Sequence, residues 1–459
     1  MTRAPRWALY ALIVGLAVHN LAMALLWRAG VRGGVLTLVS AWKDVLLLGA
    51  LVVVAASARG ARPRVLVVDL LALAFAGFVV LYAAIPQAWL GGGAGAKGIA
   101  YAARHDLLPV GGYFLGRGVR LATGERDRLC RIVLWTAAGV AAFGLVDVYL
   151  VPLSWWRGMA GWYGDQLGLH YFGLSGLPEN FVYNAGNGVV FRRLTSTFLS
   201  PLATAYLLVV ALFVIPLRRP LGYAVGALIF AAVLWTHTRA ALIALVAGLI
   251  VLAIVRRSRR PVVFTAIVVV LGFAFVSGYD HFAPRTHFTK TELREQQQNA
   301  AQHPNASHDA TAANESSTSE HLSSLRQGIR TVLRHPWGYG LGNAGVTAER
   351  TKVTPQAGES TYTELGVETG LLGALCFIAW SLAILRRLLR RVPWLAAAFV
   401  AVLVIGIQTD VIGVPWIAVV VWALAGAYMD DAVPAEHPGA DGVAAGTPSA
   451  RTGFRARPI

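Results

Sequence analysis

The run WALYALIVGLAVHNLAMALLW, from Trp7 to Trp27, decides the class of the whole chain. It holds no Asp, Glu, Lys or Arg and matches the roughly 20 apolar residues that a helix needs to cross a bilayer core. Arg3 and Arg6 stand before it. The run is too long for the apolar core of a signal peptide and no small-residue cleavage site follows, so it reads as a retained first span.

The pattern recurs to the end of the chain. Candidate spans fall at about 7–27, 34–57, 65–86, 98–116, 132–152, 195–215, 221–236, 240–255, 262–279, 362–385, 393–410 and 412–429. The seventh and eighth are short enough to tilt or to dip part-way. Hydrophobic residues make up 56% of the chain and charged ones 14%, which excludes an ordinary soluble domain. The expectation is an all-α polytopic membrane protein of about 12 transmembrane helices with one large outer loop. A single integral membrane domain covers 1–431, and the Pro/Gly/Ala-rich tail 432–459 reads as disordered.

The formal charge of +17 invites a nucleic-acid partner, but its distribution excludes one. The arginines cluster at Arg3/Arg6, Arg59/Arg62/Arg64, Arg117–Arg131, Arg218/Arg219, Arg256–Arg260 and Arg386–Arg391, always at alternate connections. The positive-inside rule makes that side cytoplasmic, with both termini on it. Two cysteines, Cys130 and Cys376, imply no disulfide framework.

Two loops are then outer, 153–191 and 280–361. The first is rich in aromatic residues (Trp155, Trp156, Trp162, Tyr163), as in an interfacial belt or a platform for sugar rings. In the second, Thr289 to Ser319 is polar and expected to be mobile. Its histidines, His303 and His308, and the nearby His321 show no ligand spacing and read as solvated. Asn305 and Asn314 open formal glycosylation sequons that read as chance. From about 320 to 334, Leu322, Leu325, Ile329, Val332 and Leu333 recur at helical spacing between arginines, an amphipathic helix on the membrane surface or on the bundle.

Charges at membrane level need a reason. Arg192 and Arg193 open the sixth span, and Arg239 sits at the outer turn Thr236-His-Thr-Arg239. A guanidinium presents a fork of donors that suits phosphate oxygens, and these three are candidate diphosphate ligands. Lys43/Asp44 and Arg104/Asp106 read as a structural network across helices, with Arg104 alternatively extending the phosphate site. Glu359 is the last carboxylate before the tenth span, a candidate general base or an acid favoured by the helix dipole. Gly338, Gly340 and Gly342 form a Gly-x-Gly-x-Gly run with no Lys-Ser/Thr after it, which suits a tight turn close to a ligand or a helix.

Four segments together resemble the O-antigen ligase/O-antigen polymerase superfamily of membrane glycosyltransferases. They are Arg193-Leu-Thr-Ser-Thr-Phe-Leu-Ser-Pro-Leu-Ala-Thr-Ala-Tyr206, Thr236-His-Thr-Arg239-Ala-Ala-Leu, His335-Pro-Trp-Gly-Tyr-Gly-Leu-Gly342, and Glu359-Ser-Thr-Tyr362 continuing to Gly373. The resemblance covers roughly the second half of the chain. It implies a GT-C-like fold around an outward cavity in a bacterial cytoplasmic membrane. It also implies a metal-independent, cofactor-free, inverting transfer of glycan from an undecaprenyl-diphosphate-linked donor to a glycan, lipid or protein acceptor. Glu359 would be catalytic, Arg192, Arg193, Arg239 and Arg104 would hold the diphosphate, and His335, Gly338, Gly340 and Tyr362 would contact glycan. Ligases of the family carry a functional His where this chain has Glu359, so ligase and polymerase both stay open. The rival from another class is a transporter or flippase for a lipid-linked or anionic substrate, favoured chiefly by the intramembrane Lys43–Asp44 pair.

Overall fold

The computed structural model describes residues 3–58, 64–119, 121–159, 161–167, 177, 179–184, 189–216, 220–287, 293–294, 297–298 and 316–429. The tail 432–459, Arg59, Arg62, Arg218, Arg219, both sequons, His303 and His308 lie outside the described residues.

The protein is all-α. Its helices are α1 (Ala4–Arg28), α2 (Gly33–Ser40), α3 (Trp42–Ala58), α4 (Val67–Ala84), α5 (Ala96–Val119), α6 (Thr123–Leu150), and the short α7 (Leu153–Arg157) and α8 (Gly161–Leu167). There follow α9 (Pro201–Val214), α10 (Pro220–Trp235), α11 (Arg239–Arg256), α12 (Arg259–Ser277) and α13 (Tyr279–Phe282). The last five are α14 (Ser316–Arg334), α15 (Gly345–Arg350), α16 (Thr361–Arg391), α17 (Pro393–Gln408) and α18 (Ile417–Ala427). Every proposed span has a helical counterpart. Seven segments are long and apolar enough to cross a membrane, α2 and α3 counting as one, and four more apolar helices are shorter. Large apolar side chains face outward along them: Leu48, Leu70, Ile254 and Phe273 are each more than half exposed, as only a lipid-facing surface tolerates in such number.

Helices in lipid gain nothing from excluding water between them, so they associate through close packing of small residues. The α5–α18 contact works this way. A Cβ on Gly116 would lie 2.0 Å from the Ala423 carbonyl oxygen, and one on Gly426 would lie 2.1 Å from that of Tyr113. Only glycine lets these backbones touch.

The arginine clusters gather at one end of the bundle. There Arg6 pairs with Glu125, Arg117 Nε donates to Asp69 at 3.0 Å, Arg126 donates to the Ala427 carbonyl, and Arg387 donates to that of Met429 at 2.9 Å.

Two features order the opposite end. A small antiparallel sheet pairs β1 (Val182–Asn184) with β2 (Val189–Arg192), and β2 with β3 (Arg285–His287), tying the two long loops together. In addition, α16 is broken at Gly370, whose φ of 70° and ψ of 170° are not helical. The glycine run fills the break. Tyr339 N–H donates to the Val367 carbonyl at 2.6 Å and Leu371 N–H to that of Pro336 at 2.7 Å. Gly338, Gly340 and Gly342 all take positive φ, and a Cβ on Gly338 would lie 2.7 Å from Gly370 N. The run is a turn against a helix, as one of its sequence readings has it.

The amphipathic helix is present as α14 and docks on the bundle. Its Gly328 lies against Thr363, and Val332 is buried against Gly366 of α16, whereas Ile329 and Leu333 stay exposed. Three of the four aromatic residues named in the first outer loop are not open to a membrane surface or a sugar ring. Trp156, Trp162 and Tyr163 are buried with Trp27 and Phe181, and Trp156 Nε1 donates to Asp147 at 2.7 Å.

Candidate active-site cavity

A cavity of about 1550 Å³ opens at the end of the bundle away from the arginine clusters. Arg104, Arg193, Arg239 and Glu359, four of the residues singled out in the sequence, line it together.

Strand geometry separates the two adjacent arginines. Successive side chains of an extended segment point to opposite faces. Arg192, the last residue of β2, turns into the protein, where Nη1 donates to the Val151 carbonyl at 2.9 Å and Nη2 reaches Asp147 at 3.4 Å. Both side chains of that pair are buried, so Arg192 holds structure and is not among the cavity residues. Arg193 turns into the cavity. Its Nε donates to the Thr236 carbonyl at 2.9 Å, and Nη2 donates to the His237 carbonyl at 3.3 Å and to Thr238 Oγ1 at 3.2 Å. Among the described residues Nη1 makes no hydrogen bond, which leaves two donors for a ligand. Burial lowers the guanidinium to about 10, so it remains charged at neutral pH.

The turn that clamps Arg193 also carries Arg239, the first residue of α11. Arg239 and Arg193 are close enough for their charges to interact, and Arg239 sits where the helix dipole favours an anion. His237 takes φ 49°, its ring wedged against Tyr183 at 4.4 Å and Tyr279 at 4.1 Å between centroids. Burial pushes this imidazole down to about 3, and it stays neutral. Tyr279 fixes the turn to the arginine segment, its hydroxyl lying 2.6 Å from the Arg192 carbonyl and 3.1 Å from that of Trp235.

Glu359 precedes Ser360, the residue that caps α16, and therefore caps nothing itself. Its φ of 69° is left-handed, a costly conformation for a side chain of this kind. Its Oε2 meets Nδ1 of His321 on α14. That hydrogen bond, working against burial, raises the imidazole above its ordinary value of 6.5. His321 is thus paired rather than simply solvated.

The remaining wall comes from other helices. Arg104 Nε donates to Asp44 at 2.7 Å, Lys43 Nζ donates to the Ser40 carbonyl at 2.7 Å and lies 2.9 Å from His19 Nε2. Arg350 stands over the Tyr101 ring at 5.0 Å. The expected network of Lys43/Asp44 with Arg104/Asp106 forms only at the Arg104–Asp44 pair. Asp106 instead accepts from His105, which bridges it at 2.8 Å to Asp410, also at 2.8 Å.

The residues assigned to glycan contact fall elsewhere. His335 stacks on Tyr339 and bonds the Leu90 carbonyl at 3.0 Å, while the Tyr362 hydroxyl donates to that of Leu403 at 2.8 Å. Gly338 and Gly340 pack against Gly370 and Gln87. None of the four lines the cavity among the described residues. Sequence reading passed over Asp410, Arg350 and the role of His321. Asp410, an acid at the end of a span, carried the same signal that had selected Arg239.

Among the described residues, no group of three or more His, Cys, Asp or Glu is arranged to hold a metal ion. Comparison with curated proteins gave no match. Residues 224–378 match the family model described as O-Antigen ligase, a stretch running from α10 through the Arg239 turn and α14 into α16. The match covers this segment of the chain and supports the resemblance to the O-antigen ligase and polymerase family.

Proposed function

We propose that the cavity transfers glycan from a polyprenyl-diphosphate-linked donor to an acceptor hydroxyl on the outer face of the bacterial cytoplasmic membrane. The observation that carries this reading is the convergence of Arg193, Arg239 and the Glu359–His321 pair on one cavity. The cavity lies at the end away from the arginine clusters, the end that the positive-inside rule would turn outward.

The acceptor oxygen attacks the anomeric carbon opposite the diphosphate. One C–O bond forms as the other breaks, and the configuration inverts. The electron pair leaves with the diphosphate oxygen. Arg193 and Arg239 meet the charge that grows there with donors already in place, so no metal is needed for that task. The acceptor proton passes to the Glu359–His321 pair. Glu359 Oε1 makes no hydrogen bond to a described residue and is the oxygen open to the acceptor. His321 holds the carboxylate in place through its hydrogen bond to Oε2.

The test is transfer by the purified full-length chain in proteoliposomes, with a lipid-linked oligosaccharide donor. Arg193→Ala, Arg239→Ala and Glu359→Gln should each lose most activity. Retention of wild-type rates by all three removes the assignment. The Asp410–His105–Asp106 chain would suit proton-coupled transport instead. Substrate flux across the same liposomes without product would favour that second reading.

A further inference from the structure

Helix α14 turns only one side to the bundle. Gly328 and Val332 are buried against α16, while Leu322, Ile329 and Leu333 are exposed. On a helix of about 3.6 residues per turn these three leucine and isoleucine side chains fall within roughly 40° of one another, in a stripe beside the bundle-facing side. Arg326, Arg330 and Arg334 fill the next arc, of roughly 80°, further from the bundle. All three arginines are exposed, and among the described residues none of them makes a hydrogen bond or an ion pair. The acid of this helix, Glu320, falls opposite the apolar stripe and lines the cavity.

The surface next to this face is of the kind that meets lipid. Just after α14, the Trp337 carbonyl accepts a hydrogen bond from the Tyr82 hydroxyl of α4 at 2.7 Å. Val80 and Leu81 beside that tyrosine, and Leu372 beside the break in α16, are all more than half exposed. His335 bonds the carbonyl of Leu90, which closes the single turn Gln87–Leu90 that carries Trp89. Trp89 is 80% exposed and Trp337 56%. Exposed tryptophans at the ends of apolar helices mark the headgroup level of a bilayer. The apolar stripe of α14 thus continues the lipid-facing surface of α4 and α16, and the arginine row beside it falls at headgroup level.

We infer that this face of α14 docks on anionic phospholipid headgroups of the leaflet at the cavity end. Leu322, Ile329 and Leu333 enter the acyl boundary, and Arg326, Arg330 and Arg334 hold the phosphates. The row selects its partner by charge. Three guanidiniums with no counter-charge from the described residues repel one another unless anions stand between them, and each offers a planar fork that fits phosphate oxygens. A zwitterionic headgroup cancels much of this attraction, whereas an anionic one keeps it. The apolar stripe favours a bilayer over an acidic protein, because it extends a surface that lipid already covers. The docked helix is the one that brings His321 to Glu359, so the lipid steadies a wall of the cavity.

The experiment is hydrogen–deuterium exchange of the full-length chain in nanodiscs, made either of phosphatidylcholine alone or of phosphatidylcholine with phosphatidylglycerol. Phosphatidylglycerol should slow exchange of the backbone amides of 322–334 by roughly tenfold or more, and high salt should undo most of that protection. Because the readout is local to α14, lipid bound at the arginine clusters of the other end does not enter it. The triple variant Arg326→Gln/Arg330→Gln/Arg334→Gln should lose the response to phosphatidylglycerol while keeping the wild-type melting temperature. Arg326→Lys/Arg330→Lys/Arg334→Lys keeps the charge without the fork and should retain part of it. Equal exchange in the two lipids, or a triple Gln variant that responds as the wild type does, overturns the proposal. Protection by inorganic phosphate or by polyglutamate in phosphatidylcholine alone, with none from phosphatidylglycerol, overturns it in favour of a free anion or an acidic protein. Transfer activity is no part of the readout, so each of these results leaves the donor site standing.

Discussion

Arg193 gives the sharpest prediction because its guanidinium is divided between two tasks. Nε and Nη2 are spent on the carbonyls of Thr236 and His237 and on Thr238 Oγ1. Nη1 keeps its two donors for the proposed diphosphate. A hydrogen bond to a charged group contributes roughly 1.5–3 kcal/mol net. Two such bonds in a partly wet cavity come to about 3 kcal/mol, the lower end of the range. Arg193→Ala should therefore cut kcat/KM for transfer by about 100-fold. Arg193→Lys keeps the charge and loses the fork, so it should fall between, near tenfold. The assay is chain-length analysis of product in proteoliposomes, with size-exclusion profiles to establish that each variant folds. The Arg193→Ala/Arg239→Ala double variant should lose less than the sum of the single losses if both side chains hold one diphosphate. A folded Arg193→Ala chain within threefold of wild type would refute the division of labour.

Asp147→Asn should behave in the opposite way, leaving the buried Arg192 without its counter-charge and costing about 3–5 kcal/mol of stability, read as a lower melting temperature in detergent. Transfer by the fraction that folds should be nearly normal. Activity should rise with pH through a midpoint above 6.5, because the base form of the Glu359–His321 pair is needed and Glu359 raises the imidazole. Glu359→Gln should move that midpoint down as well as lower the rate; an unmoved midpoint separates His321 from the reaction. Gly116→Leu should force α5 from α18 and cost at least about 1–3 kcal/mol, visible as reduced thermal stability with the cavity residues untouched.

The apolar helices were legible because a bilayer imposes a length that few other structures require. Arg193 and Arg239 stood out because the proposed topology puts them on the side that arginines avoid. The sequence could not rank Arg192 against Arg193, since both are cations at the same depth. Only the extended backbone at the end of β2, set by pairing with a strand more than 90 residues away, sends one inward to Asp147 and the other to the cavity. His321 was hidden for a similar reason. Its neighbours in the chain are polar, and its partner Glu359 is brought to it by the docking of α14 on α16. The glycine run was assigned to ligand because a tight turn and a helix plug demand the same residues. The break in α16 at Gly370 that it fills has no composition signal of its own.

That break also marks where the protein divides into exchangeable parts. The turn of α16 from Thr361 to Thr369 is stitched to the glycine run and to α14, so it travels with the loop rather than with the span that follows. A chimera that swaps the loop at the apparent start of the helix would sever Tyr339 from Val367 and Pro336 from Leu371. Moving the junction to a point beyond Leu371 keeps those seams within one donor sequence. Acceptor preference should then pass between relatives as one block ending inside a transmembrane helix.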